Sequence, residues 1–136
     1  MELTTSDQAD RAGPTAHDAS SRDCRLVGDI LSRVGDKWSM LVVMTLLEAP
    51  QHFNELKRAI RGISQQMLSR TLRALEREGL VTRTVHPTVP VRVEYALTEL
   101  GTSLSQPVQA LGAWAAANRA AIESSREKYD SLADGR

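Results

Sequence analysis

A single cysteine, Cys24, occurs in the 136 residues, so no disulfide can close within the chain. Nor does any stretch approach the roughly 18 apolar residues that a membrane-spanning helix needs. The N-terminus lacks the basic start and apolar core of a signal peptide. A cytoplasmic protein with no membrane partner is therefore expected. Enzyme signatures are also missing: there is no GxSxG, Walker or HExxH pattern, and no nucleophile and base are grouped as catalysis would require. His17, His52 and His86 are scattered and only Cys24 could join them, so they are expected at the surface rather than around a metal. Neither a catalytic centre nor a cofactor is expected.

Net charge is absent too, with 17 basic and 17 acidic side chains. Taken alone, that counts against a nucleic-acid partner. The distribution changes the inference. From Met1 to Asp23, five acids face two arginines, a net of −3. From Phe53 to Arg83, seven basic residues face three glutamates, a net of +4. Phosphate neutralisation is local, so an acidic tail can cancel the total without erasing a basic patch. Hydrophobic residues make up 41% and charged residues 25%, ordinary values for one globular domain of this length.

The positive segment contains the most informative stretch, Gly62 to Gly79. Ser64 stands as an N-cap and Gly79 as a left-handed C-cap. Between them Leu68, Leu72 and Leu75, with Thr71, form one buried stripe at helical spacing. Gln65, Gln66, Ser69, Arg70 and Arg73 fall on the other face and can hydrogen-bond base edges and phosphates. An isolated amphipathic helix of this kind is usually only a solvated surface helix. Here, however, Phe53, Leu56 and Ile60 mark a short helix just upstream, and Arg61-Gly62-Ile63 is a tight turn. Helix, glycine turn and capped second helix are the helix-turn-helix signature. Downstream, Leu80–Val85 and Val91–Leu97 are strand-like runs around His86-Pro87-Thr88-Val89-Pro90, which predicts a β-hairpin wing. The fold class is mainly α with a small hairpin wing, a winged helix-turn-helix.

The rest of the chain predicts supporting elements. Residues 1–22 are expected to be a disordered tail, and residues 23–127 the DNA-binding and dimerisation domain. Asp23 should cap a helix from Cys24 to Val34, with Leu26, Val27, Ile30, Leu31 and Val34 as its stripe. After Gly35, a helix opening at Asp36-Lys37-Trp38 is apolar nearly all round and should lie centrally in the core, anchored by a buried Trp38. Thr98 should cap a last helix, with a kink or fresh start at Pro107. In it Leu104, Val108, Leu111, Ala115, Asn118 and Ile122 are spaced four and three apart like a coiled-coil seam, with Trp114 on its flank. That pattern predicts a homodimer; the alternative is a helix folded back on its own core. Residues 128–136 should fray.

The chain carries, in this order, Cys24, Gly35-Asp36-Lys37-Trp38, Phe53-Asn54-Glu55-Leu56, Gly62-Ile63-Ser64, Leu72-Arg73-Ala74-Leu75-Glu76, Gly79-Leu80-Val81, Pro90-Val91-Arg92-Val93-Glu94-Tyr95 and Leu97-Thr98-Glu99-Leu100-Gly101. In these motifs it resembles the HxlR-type winged helix-turn-helix regulators, relatives of the MarR type. The resemblance spans Cys24 to about Trp114. It implies a dimer built from the N- and C-terminal helices, recognition helices in successive major grooves, and wings on flanking DNA. For some members it also implies redox or electrophile sensing through the N-terminal cysteine, although Arg25 here stands where proline is frequent.

The expected partner is thus double-stranded DNA bound by a homodimer on an inverted repeat. Ser64, Gln65, Gln66, Ser69, Arg70, Arg73 and Arg92 are the candidate contacts, and Lys57, Arg58 and Arg61 candidate backbone contacts. Cys24, between Arg22 and Arg25 at an expected helix N-terminus, is the candidate sensor, because dipole and cations favour its thiolate. Two alternatives stay open: a winged helix that binds a partner protein, and a regulator that answers a small molecule with no redox role for Cys24.

Overall fold

The backbone of the described segment is helical from its outset. The structure is a computed structural model and describes residues 21–135. The expected tail therefore lies outside the described residues up to residue 20. Helix α1 covers residues 21–34, so Asp23 lies inside it rather than capping it. Ser21 and Arg22 contain no breaker to stop the helix short of Asp23. Gly35 ends α1, its N–H donating to Leu31 O at 2.7 Å. Asp36 then caps α2 (Lys37–Glu48), its carboxylate accepting from the Ser39 N–H at 2.9 Å and the Ser39 hydroxyl at 2.8 Å.

Helix α2 is central, but on one side only. Ser39, Val42, Val43 and Leu46 are buried, while Leu41 is exposed and Trp38 half-buried, with the Lys37 ammonium 4.4 Å from its ring centre. The expectation of a helix buried all round with a buried Trp38 is corrected accordingly. Only the stripe that meets α4, α5 and the wing is sealed, because so small a domain cannot surround a helix.

A two-residue strand that the sequence does not announce follows: β1, Gln51–His52. Next come α3 (Phe53–Ala59), the turn through Gly62 at φ +84°, and α4 (Gln65–Arg77). The expected caps on α4 are present. Ser64 Oγ accepts from the Met67 N–H at 3.0 Å. At the other end Gly79 adopts φ +79°, its N–H donates to Glu76 O at 3.0 Å, and Leu80 N–H reaches Leu75 O at 2.9 Å. That bond pair is a Schellman motif, sealed by the buried Leu75 and Leu80. Leu68, Leu72 and Leu75 are at most 1% exposed. Each such leucine contributes about 1.5–3 kcal/mol when removed from water, and together they fix which face of α4 points outward.

Strands β2 (Val81–His86) and β3 (Arg92–Leu97) form the predicted hairpin. With β1 they make an antiparallel sheet in the order β1-β3-β2. Thr98 caps α5 (Glu99–Asp134) by accepting from the Gly101 N–H at 3.0 Å. It also ties α5 to the end of α4, since its hydroxyl donates to Gly79 O at 2.7 Å and its N–H to Leu80 O at 3.0 Å. Helix α5 runs unbroken through Pro107 and on to Asp134, well into the stretch 128–136 where fraying is expected. Its 36 residues span roughly 54 Å at 1.5 Å per residue. Only its first turns are packed: Gly101 and Ser105 are buried, and no described residue after them is. The start of the helix packs on the chain's own core, Leu104 included, and the rest stays largely exposed.

Candidate DNA interface

The burial of the leucine stripe decides what α4 offers to solvent. Gln66, Arg70 and Arg73, spaced i, i+4 and i+7, line up opposite it and are all exposed, as is Gln65 in the first turn. Ser69 is half-buried on the flank nearest the wing. Ser64 is exposed and its oxygen serves the cap, while its O–H can still donate to a phosphate. Lys57, Arg58 and Arg61, on α3 and the turn after it, are exposed as well.

Two clefts connect the helix-turn-helix to the wing. The first, about 400 Å³, is lined by Ser69, Leu72, Arg73 and Glu76 of α4 together with Arg83 and Tyr95 of the sheet. Arg83 was not singled out by sequence. It reaches this cleft because β2 pairs it with Tyr95, whose ring packs into the core, and period-2 alternation along the strand is the signal that could have found it. The second cleft, about 630 Å³, lies between α3 and the wing base and is lined by residues that include His52, Asn54, Glu55, Arg58 and Arg92. Arg92 is exposed just past the wing tip, with a guanidinium nitrogen 2.7 Å from His52 Nε2. Arg70 lies apart from both clefts and shares a third with Arg33, Asp36 and Trp38.

The charge at the far end of α4 is tempered. Arg33 of α1 reaches Glu78 at 3.1 Å and Asp29 at 3.4 Å. The hydrogen bond that Arg33 donates to Glu78, then the charge of Asp29, raise the Arg33 pKa above its ordinary value. Glu78 is thus matched, and the exposed stripe of α4 keeps its basic character.

The expected dimer residues divide. Leu104 is half-buried against the chain's own core, and Val108, Asn118 and Ile122 are half-buried. Asn118 also donates to Trp114 O within the helix at 2.8 Å. Leu111, Trp114 and Ala115 are exposed. Near them α1 presents Leu26, Val27, Ile30 and Leu31, each more than half exposed. An apolar groove of about 390 Å³, with Leu31, Val34, Met40, Leu104, Val108 and Leu111 in its lining, joins α1, α2 and α5. Cys24 is exposed on α1, the fourth described residue of that helix. Among the described residues no helix is long and apolar enough to cross a membrane.

Known proteins share this arrangement. The HxlR-like helix-turn-helix family model matches residues 33–123. The HTH-type transcriptional regulator YtfH of Escherichia coli (strain K12) is 41% identical over 86 residues, 63% of this chain and 68% of its own length. The redox regulator HypR in its reduced form superposes with a TM-score of 0.67 at 38% identity, covering 72% of this chain and 97% of HypR. The structure of diamide-treated YodB from Bacillus subtilis gives a TM-score of 0.58 at 40% identity, covering 65% of this chain and 87% of that one. The capped α4, the wing that follows it and these matches agree: the chain belongs to the HxlR-like helix-turn-helix family of transcriptional regulators, which are not enzymes.

Proposed function

We propose that the protein is a homodimer that binds an inverted-repeat operator in double-stranded DNA, α4 of each protomer lying in a major groove and the wing on flanking DNA. One observation carries the reading: Gln66, Arg70 and Arg73 form an unobstructed polar stripe on a helix whose opposite face is locked into the core. Glutamine can pair bidentately with adenine N6 and N7, and arginine with guanine O6 and N7, each pair discriminating by about 1–3 kcal/mol. Gln65, Ser64 and Ser69 add first-turn and flank contacts. Lys57, Arg58, Arg61 and Arg92 hold phosphates or the minor groove and set register. The exposed apolar residues of α1 and the middle of α5 supply a surface for a second copy across a two-fold axis. In vitro selection with the purified protein, then a salt titration on the selected duplex, is the test. Affinity should fall about 10³- to 10⁵-fold between 50 and 200 mM salt. A winged helix that docks a partner protein instead would select no sequence.

A second reading rests on Cys24, exposed on α1 beside the apolar surface offered to the partner copy. HypR is named a redox regulator and YodB has a diamide-treated structure, which supports an oxidant as the signal here too. With one thiol per chain, a disulfide can only join two chains or add a small thiol: two thiols lose two protons and two electrons to diamide and one disulfide forms. DNA binding should respond to diamide in the wild type and not in Cys24→Ser. An equal response in both would leave a small-molecule effector, for which the apolar groove between α1, α2 and α5 is the candidate site.

A further inference from the structure

Strand β1 brings His52 beside the wing. It pairs in register with Glu94 of β3, so its side chain shares a sheet face with Arg92, two residues along. The imidazole is held at both ends. Nδ1 lies 3.1 Å from Val93 O and Nε2 lies 2.7 Å from a terminal nitrogen of Arg92. A carbonyl can only accept and a guanidinium can only donate. On these two contacts the ring carries its proton on Nδ1, donates to Val93 and accepts from Arg92 with the Nε2 lone pair. The backbone of His52 is fixed as well, its N–H donating to Glu55 Oε1 at 2.8 Å.

We infer that His52 is a positioning residue for DNA binding: as a neutral hydrogen-bond acceptor it holds the wing arginine, Arg92, in the orientation that meets DNA. This rests on the proposed role of Arg92 as a DNA contact. An exposed arginine is otherwise free to sample many rotamers, and ordering it on binding costs affinity. His52 occupies one of five guanidinium N–H groups and leaves the others for phosphate or a base edge. Because β1 leads straight into α3, the same residue links the first helix of the helix-turn-helix to the wing.

The experiment is a double-mutant cycle on a duplex selected in vitro by the wild-type protein, with thermal melts as the folding control. Arg92→Ala should weaken binding about 10-fold, the loss of one good groove contact. His52→Phe, which keeps a ring but removes the acceptor, should weaken it by roughly 3- to 5-fold, as suits an exposed contact. The double variant should be no weaker than Arg92→Ala alone. His52→Gln, whose amide oxygen can accept, should bind within about twofold of wild type. Additive losses in the double variant would overturn the inference, as would failure of a normally melting His52→Gln to rescue. Unaltered binding by Arg92→Ala would instead remove the wing contact itself, and the inference with it.

Discussion

The proposed dimer is open to a sharp test at Leu111, on α5. The side chain is 52% exposed in the single chain. Covering it across a two-fold axis would seal about half of a leucine, contributing about 1 kcal/mol per copy. Leu111→Glu loses that contribution and places a carboxylate among apolar groups of both protomers, where an unpaired ion costs several kcal/mol. Even if solvent relaxes most of that penalty, about 2 kcal/mol per copy remains. Because an isologous interface counts each change twice, dimerisation should weaken by about 4 kcal/mol, nearly a thousandfold in Kd. Sedimentation equilibrium measures this directly, with Gln109→Glu, an exposed position on another side of α5, as the control for added charge. Operator affinity should collapse in parallel, since a lone recognition helix holds only a half-site. A dimerisation constant for Leu111→Glu equal to that of Gln109→Glu would refute the proposed interface.

Other expectations are smaller and independent. Ser64→Ala removes the acceptor of the Met67 N–H and should cost about 1 kcal/mol in urea unfolding. Gly101→Ala places a methyl inside contact distance of Leu80 O, and backbone cannot move aside cheaply, so a loss of about 1–3 kcal/mol is expected by thermal denaturation. Arg70→Ala should reduce the slope of log K against log salt by about 0.9 if the guanidinium neutralises one phosphate, and an unchanged slope would assign it to base contact or to none.

Much of the chain was legible because its signals are local. Ser64, Gly79, Asp36 and Thr98 act within one turn of their own helices, and Leu68, Leu72 and Leu75 declare their common face by spacing alone. These features set the helix-turn-helix, the outward stripe of α4 and the hairpin after it, and the motif order pointed to the family. What sequence could not decide depends on partners distant along the chain. Gln51–His52 is too short to carry a periodic signal and becomes a strand only because β3 lies beside it. Trp38 and Leu41 look like core residues in composition, yet the domain has too little material to cover them. Arg83 joins Arg73, and His52 meets Arg92, only through strand register, a property of two segments at once. Hydrogen bonds within a turn and helical periodicity belong to the sequence itself, whereas burial, register and the pairing of remote side chains exist only once the tertiary fold has closed.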